Sequence, residues 1–434
     1  MGPEFFILAD ATNSSLWSQV VRFWSFQDRA VQTATAGMLL LAISSGTLGC
    51  FIVLRRLSLL GDSLGHAVLP GVCLGFMVHW TKDPLWILLG ATGSALLASW
   101  MIGFIRRHSR LKPDAIMGLV LSGFFGVGTV LLTRIQNLPV GNQSGLNQFL
   151  FGQASAISEQ DLWFMGTLSL VIVSCVMLAF KELVLTSFDE GFATAIGLPV
   201  RGLHYLLMGL TALAVVISIQ AVGVVLVSAM LITPAATALL CTDRMRYMVL
   251  IAVACAVLAG LVGLNLSFLG RTLPTGPFVV LALALIFVAA YLFSPRYGIV
   301  ARAVRRLRQA QKTARENGLK SVFLASPHDA PASGVGLETL TKARREEPGA
   351  TVRMVRALAR RGWVTQEGNH VALTDAGLIR ARELDRNYRL WEQFLTDEVQ
   401  LPADHTQRDA ENLEHILEPD LVRELEARFK ERHG

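Results

Sequence analysis

Between residues 33 and 294 the sequence runs through one apolar stretch after another, most of them close to 20 residues long. A helix needs about 20 residues to cross a ~30 Å hydrocarbon layer. A soluble core has room for one such run, not for eight or nine, so the chain reads as a polytopic membrane protein. Spans are expected near 33–53, 63–80, 84–105, 114–134, 161–180, 203–219, 221–241, 247–265 and 275–294. Two of them share the long apolar stretch Gly202–Cys241, which divides at Ser218–Gly223, where Gln220 interrupts it. Alternate loops differ sharply in charge. One set holds Arg55, Arg56, Arg106, Arg107, Arg110, Lys112, Lys181, Arg201, Arg244 and Arg246; the other holds Lys82, Arg134 and Arg271. Basic loops stay in the cytoplasm. Nine spans therefore put the N-terminus outside and the C-terminus in the cytoplasm, whereas eight would erase the asymmetry beyond the merged stretch.

Composition then changes abruptly. Residues 1–295 contain 27 Asp, Glu, Lys and Arg, and the shorter remainder, 296–434, contains 45. A break of that size marks a separate, water-soluble tail. The net charge of +6 follows partly from the basic loops and does not by itself imply nucleic acid. Cys50, Cys73, Cys175, Cys241 and Cys255 all fall within apolar runs, with no CxxC pair. They read as small buried apolar side chains rather than disulfides or thiolate ligands. The N-terminus lacks a basic start followed by an apolar core and small-residue cleavage site, so no cleavable signal is expected. The stretch Ser15–Gln27, with Trp17, Phe23, Trp24 and Phe26, suits a segment lying in the membrane interface.

The segment Leu60–Gly71 (LGDSLGHAVLPG) is the most informative. Asp62 and His66 are four residues apart and share a helix face. A carboxylate and an imidazole there suit a partial site for Mn²⁺, Zn²⁺ or Fe²⁺, and ionisable groups inside a span mark a substrate path by default. An ion pair, or a helix cap made by Asp62, accounts for the same residues. Ser228–Ala236 (SAMLITPAA) puts Pro234 inside a span, which suits a kink near a pathway or plain packing of small residues. Leu266–Gly276 reads as a polar re-entry loop. Thr186–Arg201 reads as one short amphipathic helix with Phe188, Phe192 and Ile196 at four-residue spacing, fit to dock a partner or to lie on the bilayer.

The segments GDSLGHAVLPG, FDEGFATAIGLPV, QAVGVVLVSAMLITPAATALL and LPTGPFVVL occur in that order. Together they closely resemble the permease subunits of zinc, manganese and iron ABC importers, the ABC-3 metal permease family, over about residues 30–295. The resemblance implies that Asp62 and His66 line the metal path. It implies that the Asp189–Pro199 loop, with Asp189, Glu190, Ala193 and Gly197, is the coupling helix inserted into an ATPase subunit. The substrate is then a divalent transition metal, manganese, zinc or iron, with no organic cofactor. An extracytoplasmic metal-binding protein delivers it, and the permease works as a homodimer or heterodimer in the bacterial inner membrane. The sequence has no G-x-x-x-x-G-K-[ST] phosphate loop, so ATP hydrolysis falls to the partner.

In the tail, Arg302–Arg315 is a basic helical stretch suited to anionic lipid headgroups, and Ser326–Gly336 reads as a loop. A helix at Leu337–Ala343, a second at Thr351–Arg361, and runs 363–366 and 370–373 around Glu367-Gly-Asn spell a winged helix-turn-helix. Arg353, Arg356 and Arg360 give the second helix the charge expected of a DNA contact; a winged helix that packs only on protein fits equally. The tail resembles the metal-dependent repressors of the diphtheria-toxin-repressor and manganese-regulator type over about residues 316–430. Carried over from them, Glu411, Glu414 and His415 match the ligand-bearing E-x-x-E-H helix. The usual histidine falls at Tyr388, and the acidic pair of the first helix at Asn317 and Lys320. Half the ligands are thus replaced, which argues against high-affinity sensing; a residual metal site and a salt-bridged dimer surface both stay open. The expected class is mostly α: a bundle of about nine spans, then a winged helix-turn-helix with a helical dimerisation-like segment. The expected divisions are 1–30 (interfacial), 31–295 (permease), 296–335 (basic helix and linker), 336–377 (winged helix) and 378–434 (helical segment). The tail is expected either to bind DNA, tethered or released, or to gate transport at the ATPase.

Overall fold

The computed structural model of the protein describes residues 18, 20–79, 84–137, 157–269, 274–327 and 333–397. Helices follow one another wherever the sequence is apolar throughout: α1 (Arg29–Leu54), α2 (Leu60–His79), α3 (Pro84–His108), α4 (Pro113–Gln136) and α5 (Glu159–Leu178). Two short helices, α6 (Phe180–Phe188) and α7 (Glu190–Ala195), precede α8 (Val200–Val222), α9 (Val224–Cys241), α10 (Met245–Phe268) and α11 (Thr275–Phe293). Among the described residues eight helices are long and apolar enough to cross a membrane. The shorter α9, 18 residues, reaches ~27 Å at its helical rise, close to the hydrocarbon thickness. Gly223 separates α8 from α9 with φ +84°, inside the break read from Gln220 and its neighbours.

Local chemistry sets the ends. Ser158 and Asp161 form a reciprocal capping box on α5. Pro113 opens α4, where its missing N–H costs nothing. Arg106, Arg107 and His108 close α3, the end that favours positive charge. Arg56 turns the chain between α1 and α2 in a left-handed conformation, φ +57°.

Without water to drive helices together, close contact of small residues does so. A Cβ added to Gly71 of α2 would lie 2.1 Å from the Gly90 carbonyl oxygen of α3, and one added to Gly75 would lie 2.3 Å from that of Trp86. At Gly49 of α1 it would meet the Leu231 carbonyl of α9 at 1.9 Å. Gly71→Val is expected to lose about 3 kcal/mol, the upper end for overpacking, since the obstructing atoms are backbone. Fluorescence-detected size exclusion after heating should show it, with Gly93→Ala, where a Cβ meets nothing within 4 Å, unaffected. The apolar windows of α1, α2 and α8 are 72%, 72% and 67% buried, against 22% in α5 and α11, so the first three form the centre of the bundle and the last two its outside. Phe23 is tucked in against Phe268, ring centroids 5.7 Å apart, while Trp24 and Phe26 stay exposed. The expected interfacial segment is thus partly bundle core. All five cysteines are free.

The chain divides into two compact units at Arg302/Ala303. The second has its own core, with Leu319, Val322, Leu340, Val355, Leu358 and Val371 buried. Helix α12 (Ile299–Ala325) is longer than its basic stretch, because its last turns bury Glu316, Gly318, Leu319 and Val322. Then come β1 (Val335–Gly336), α13 (Leu337–Arg344), α14 (Pro348–Ala359), β2 (Val364–Glu367), β3 (His370–Leu373) and α15 (Asp375–Asp397). The antiparallel order is β1-β3-β2, with Val335 opposite Val371 and Val364 opposite Leu373. Gly368, at φ +59°, makes the wing turn. Strand β1 was not legible, since two residues cannot show alternation.

Candidate functional site

Asp62 lies in the first turn of α2, where the helix dipole favours a carboxylate. His66 follows one turn deeper, its Nε2 3.7 Å from Asp62 Oδ1. That is too long for a hydrogen bond. Two donors each about 2.1 Å from one ion stand about 3.0–3.4 Å apart at 90–109°, so a small rotamer change lets this pair share a metal. Among the described residues His66 Nδ1 is buried with no hydrogen-bond partner, and its ring meets Phe125 of α4 edge-on at 5.0 Å. His66 and Asp62 side chains remain 25% and 39% exposed. Pro70, inside α2, cannot donate to the His66 carbonyl, which loses its helical partner.

The neighbours hold this helix in place. Ser63 Oγ donates to the Met117 carbonyl of α4 at 2.6 Å, and Ser94 Oγ of α3 to the Ala67 carbonyl at 2.5 Å. Gly61 admits Leu231 and Ser228 of α9, and Gly128 of α4 admits Leu69. The SAMLITPAA stretch therefore lies against the start of α2, with Pro234 inside a continuous α9. Ser63 and Ser94 escaped sequence reasoning, since lone serines in apolar runs carry no spacing signal. Among the described residues no group of three His, Cys, Asp or Glu stands together.

A second feature is the elbow between α5 and α8. The expected single helix is two, because Asp189 leaves the helical conformation (φ −143°) and caps α7, its Oδ1 accepting from Phe192 N at 2.8 Å. An aspartate competes for backbone N–H groups and so favours a cap over a helix interior. Ala193 is fully buried, Glu190 is exposed, and Gly197 turns the chain at φ +84°. Phe188, Phe192 and Ile196 project outward, each more than half exposed. Arg55, at the end of α1, donates to Thr186 Oγ1 at 2.5 Å and Ser187 Oγ at 3.0 Å. Burial lowers the Arg55 pKa; nearby Glu190 opposes that shift and Arg106 adds to it. Arg55 counted only as a loop charge in the sequence.

In the tail, Arg353 and Arg356 are exposed along α14, and Arg360 is exposed at its C-cap. Glu411, Glu414 and His415 lie outside the described residues. Tyr388 and Lys320 come together, the Lys320 ammonium 3.6 Å from the ring centroid.

A bundle of apolar helices with a carboxylate–imidazole pair inside one of them and an apolar elbow protruding from another has the build of a membrane permease. The chain belongs to the ABC 3 transport family, which residues 27–294 match. Residues 374–432 match the iron dependent repressor, metal binding and dimerisation domain. The manganese transport system membrane protein MntC of Bacillus subtilis (strain 168) is 37% identical over 396 residues, 91% of this chain and 89% of that protein. That alignment is longer than the first unit, so it runs into the tail. The zinc transport system membrane protein TroC of Treponema pallidum (strain Nichols) is 36% identical over 65% of this chain and 95% of its own length. The solved structure of PsaBC from Streptococcus pneumoniae in complex with Fab aligns at 33% identity and TM-score 0.57, over 64% of this chain and 97% of that one.

Proposed function

We propose that the protein is the permease subunit of an ATP-driven importer of a divalent transition metal, manganese, zinc or iron. The observation that carries this is the Asp62–His66 pair within α2. Two protein ligands leave most of an ion's coordination to water or to other groups, so binding is weak enough to release, as a pathway requires. Family membership and relatives named as manganese and zinc transporters support the substrate class.

On this reading a cytoplasmic ATPase receives the α6–α7 elbow, with Asp189, Glu190, Ala193 and Gly197 shaping it and the exposed aromatics making contact. A second permease chain completes the pathway, and an extracytoplasmic protein delivers the metal. On the same reading the tail stands in the cytoplasm of a bacterial inner-membrane protein, which the asymmetry of the loop charges supports. We place the permease at 31–295 and the winged helix at 336–377. Vesicles carrying the protein with its ATPase and second permease chain, supplied with the metal-delivering protein, should import at least one of the three ions. Import of none of them would remove the reading.

The exposed row Arg353, Arg356 and Arg360 favours a second role, binding of duplex DNA through α14. Three phosphate contacts predict that affinity falls about 40-fold between 50 and 200 mM salt. A mobility shift with the full-length protein in detergent checks this. No shift at the lower salt would leave the tail a gate or scaffold.

A further inference from the structure

Two side chains of α12, one turn apart, close onto α15, the described part of the segment that matches a metal-binding domain. Glu316 is 2% exposed and accepts from Arg380 Nη2 at 2.6 Å. Arg380 also donates to Glu383 at 2.6 Å. Burial alone would weaken the Arg380 charge, but the hydrogen bonds to Glu316 and Glu383 raise its pKa above the ordinary value. Two turns further along α15, Lys320 Nζ stands 3.6 Å from the centre of the Tyr388 ring. A divalent ion needs lone pairs or anions, and a neighbouring ammonium repels it. Among the described residues the seam offers the opposite, since its one buried carboxylate, Glu316, is already bound by arginine. The described donor set does not fit a metal.

We propose that the α12–α15 seam is closed by the protein's own cations, Arg380 on Glu316 and Lys320 on Tyr388, so that these two helices stay docked without metal. Docking of α12 on α15 is then independent of metal. The inference is independent of Asp62 and His66.

Hydrogen exchange on the full-length protein in detergent, read on peptides covering residues 312–325 and 375–390, tests it. Added manganese is expected to leave exchange in both segments unchanged. Lys320→Met should speed it about three- to ten-fold, the effect of losing a cation–π contact at a half-buried seam. Lys320→Arg, which keeps the cation, should restore it. Slower exchange under manganese in the wild-type protein overturns the proposal, as does a Lys320→Met variant that exchanges like wild type.

Discussion

Asp62→Ala and His66→Ala are each expected to reduce metal uptake to background while the protein still inserts, folds and binds its ATPase. With only two protein ligands in the pair, removing one leaves a single donor, which does not select an ion from water. The loss should exceed the 10- to 100-fold typical of changes to groups that merely support a ligand, so about 100-fold or more. His66 touches Phe125 of α4, but most of the close helix contact does not involve either side chain. The α2 interface runs through Gly61, Ser63, Gly71 and Gly75 instead. Isotope uptake beside size exclusion of the purified variants separates the two effects. Normal uptake in both variants would falsify the proposed path.

Charge placed on the elbow is expected to disconnect the permease from ATP hydrolysis. Phe188 and Phe192 are 64% and 54% exposed, so Phe188→Asp or Phe192→Asp should alter stability by no more than about 0.5 kcal/mol. A large aromatic at the centre of an interface contributes about 2 kcal/mol or more, so association with the ATPase should weaken at least about 30-fold. Co-purification and metal-stimulated ATPase activity read the outcome, and undiminished association would place the coupling surface elsewhere. Glu190→Gln tests the electrostatics of the same elbow. It removes the charge that opposes the burial of Arg55, and a milder loss is expected because Arg55 keeps Thr186 and Ser187.

Much of this molecule can be read from local chemistry. The helices of the bundle follow from unbroken apolar length, and the division of α8 from α9 from Gln220 three residues before Gly223. The wing follows from Glu367-Gly-Asn between short apolar runs, and the Asp62–His66 pair from four-residue spacing. Features that depend on a second segment were not legible. The serine hydroxyls that pin α2 to α3 and α4 are of this kind, as is the link from Arg55 to α6. Strand β1 exists only because β3 is there to pair with it. The elbow was misjudged for a related reason, since spacing alone joins Phe188, Phe192 and Ile196 on one face. The cap made by Asp189 breaks that helix, and a cap is decided by where the backbone turns.

The run of apolar stretches and the charged tail remain the clearest statement made by the sequence alone. Helix formation in a membrane is forced segment by segment, because each backbone must satisfy its own hydrogen bonds. Composition therefore suffices to fix the spans and to set the tail apart. Tertiary structure decided which spans are central, which glycines bring α2 against α3, and what faces His66. It also decided the α12–α15 seam, where Lys320 and Tyr388, 68 positions apart in the chain, are brought into contact. Such contacts depend on the packing of whole elements against each other, and no local pattern encodes them.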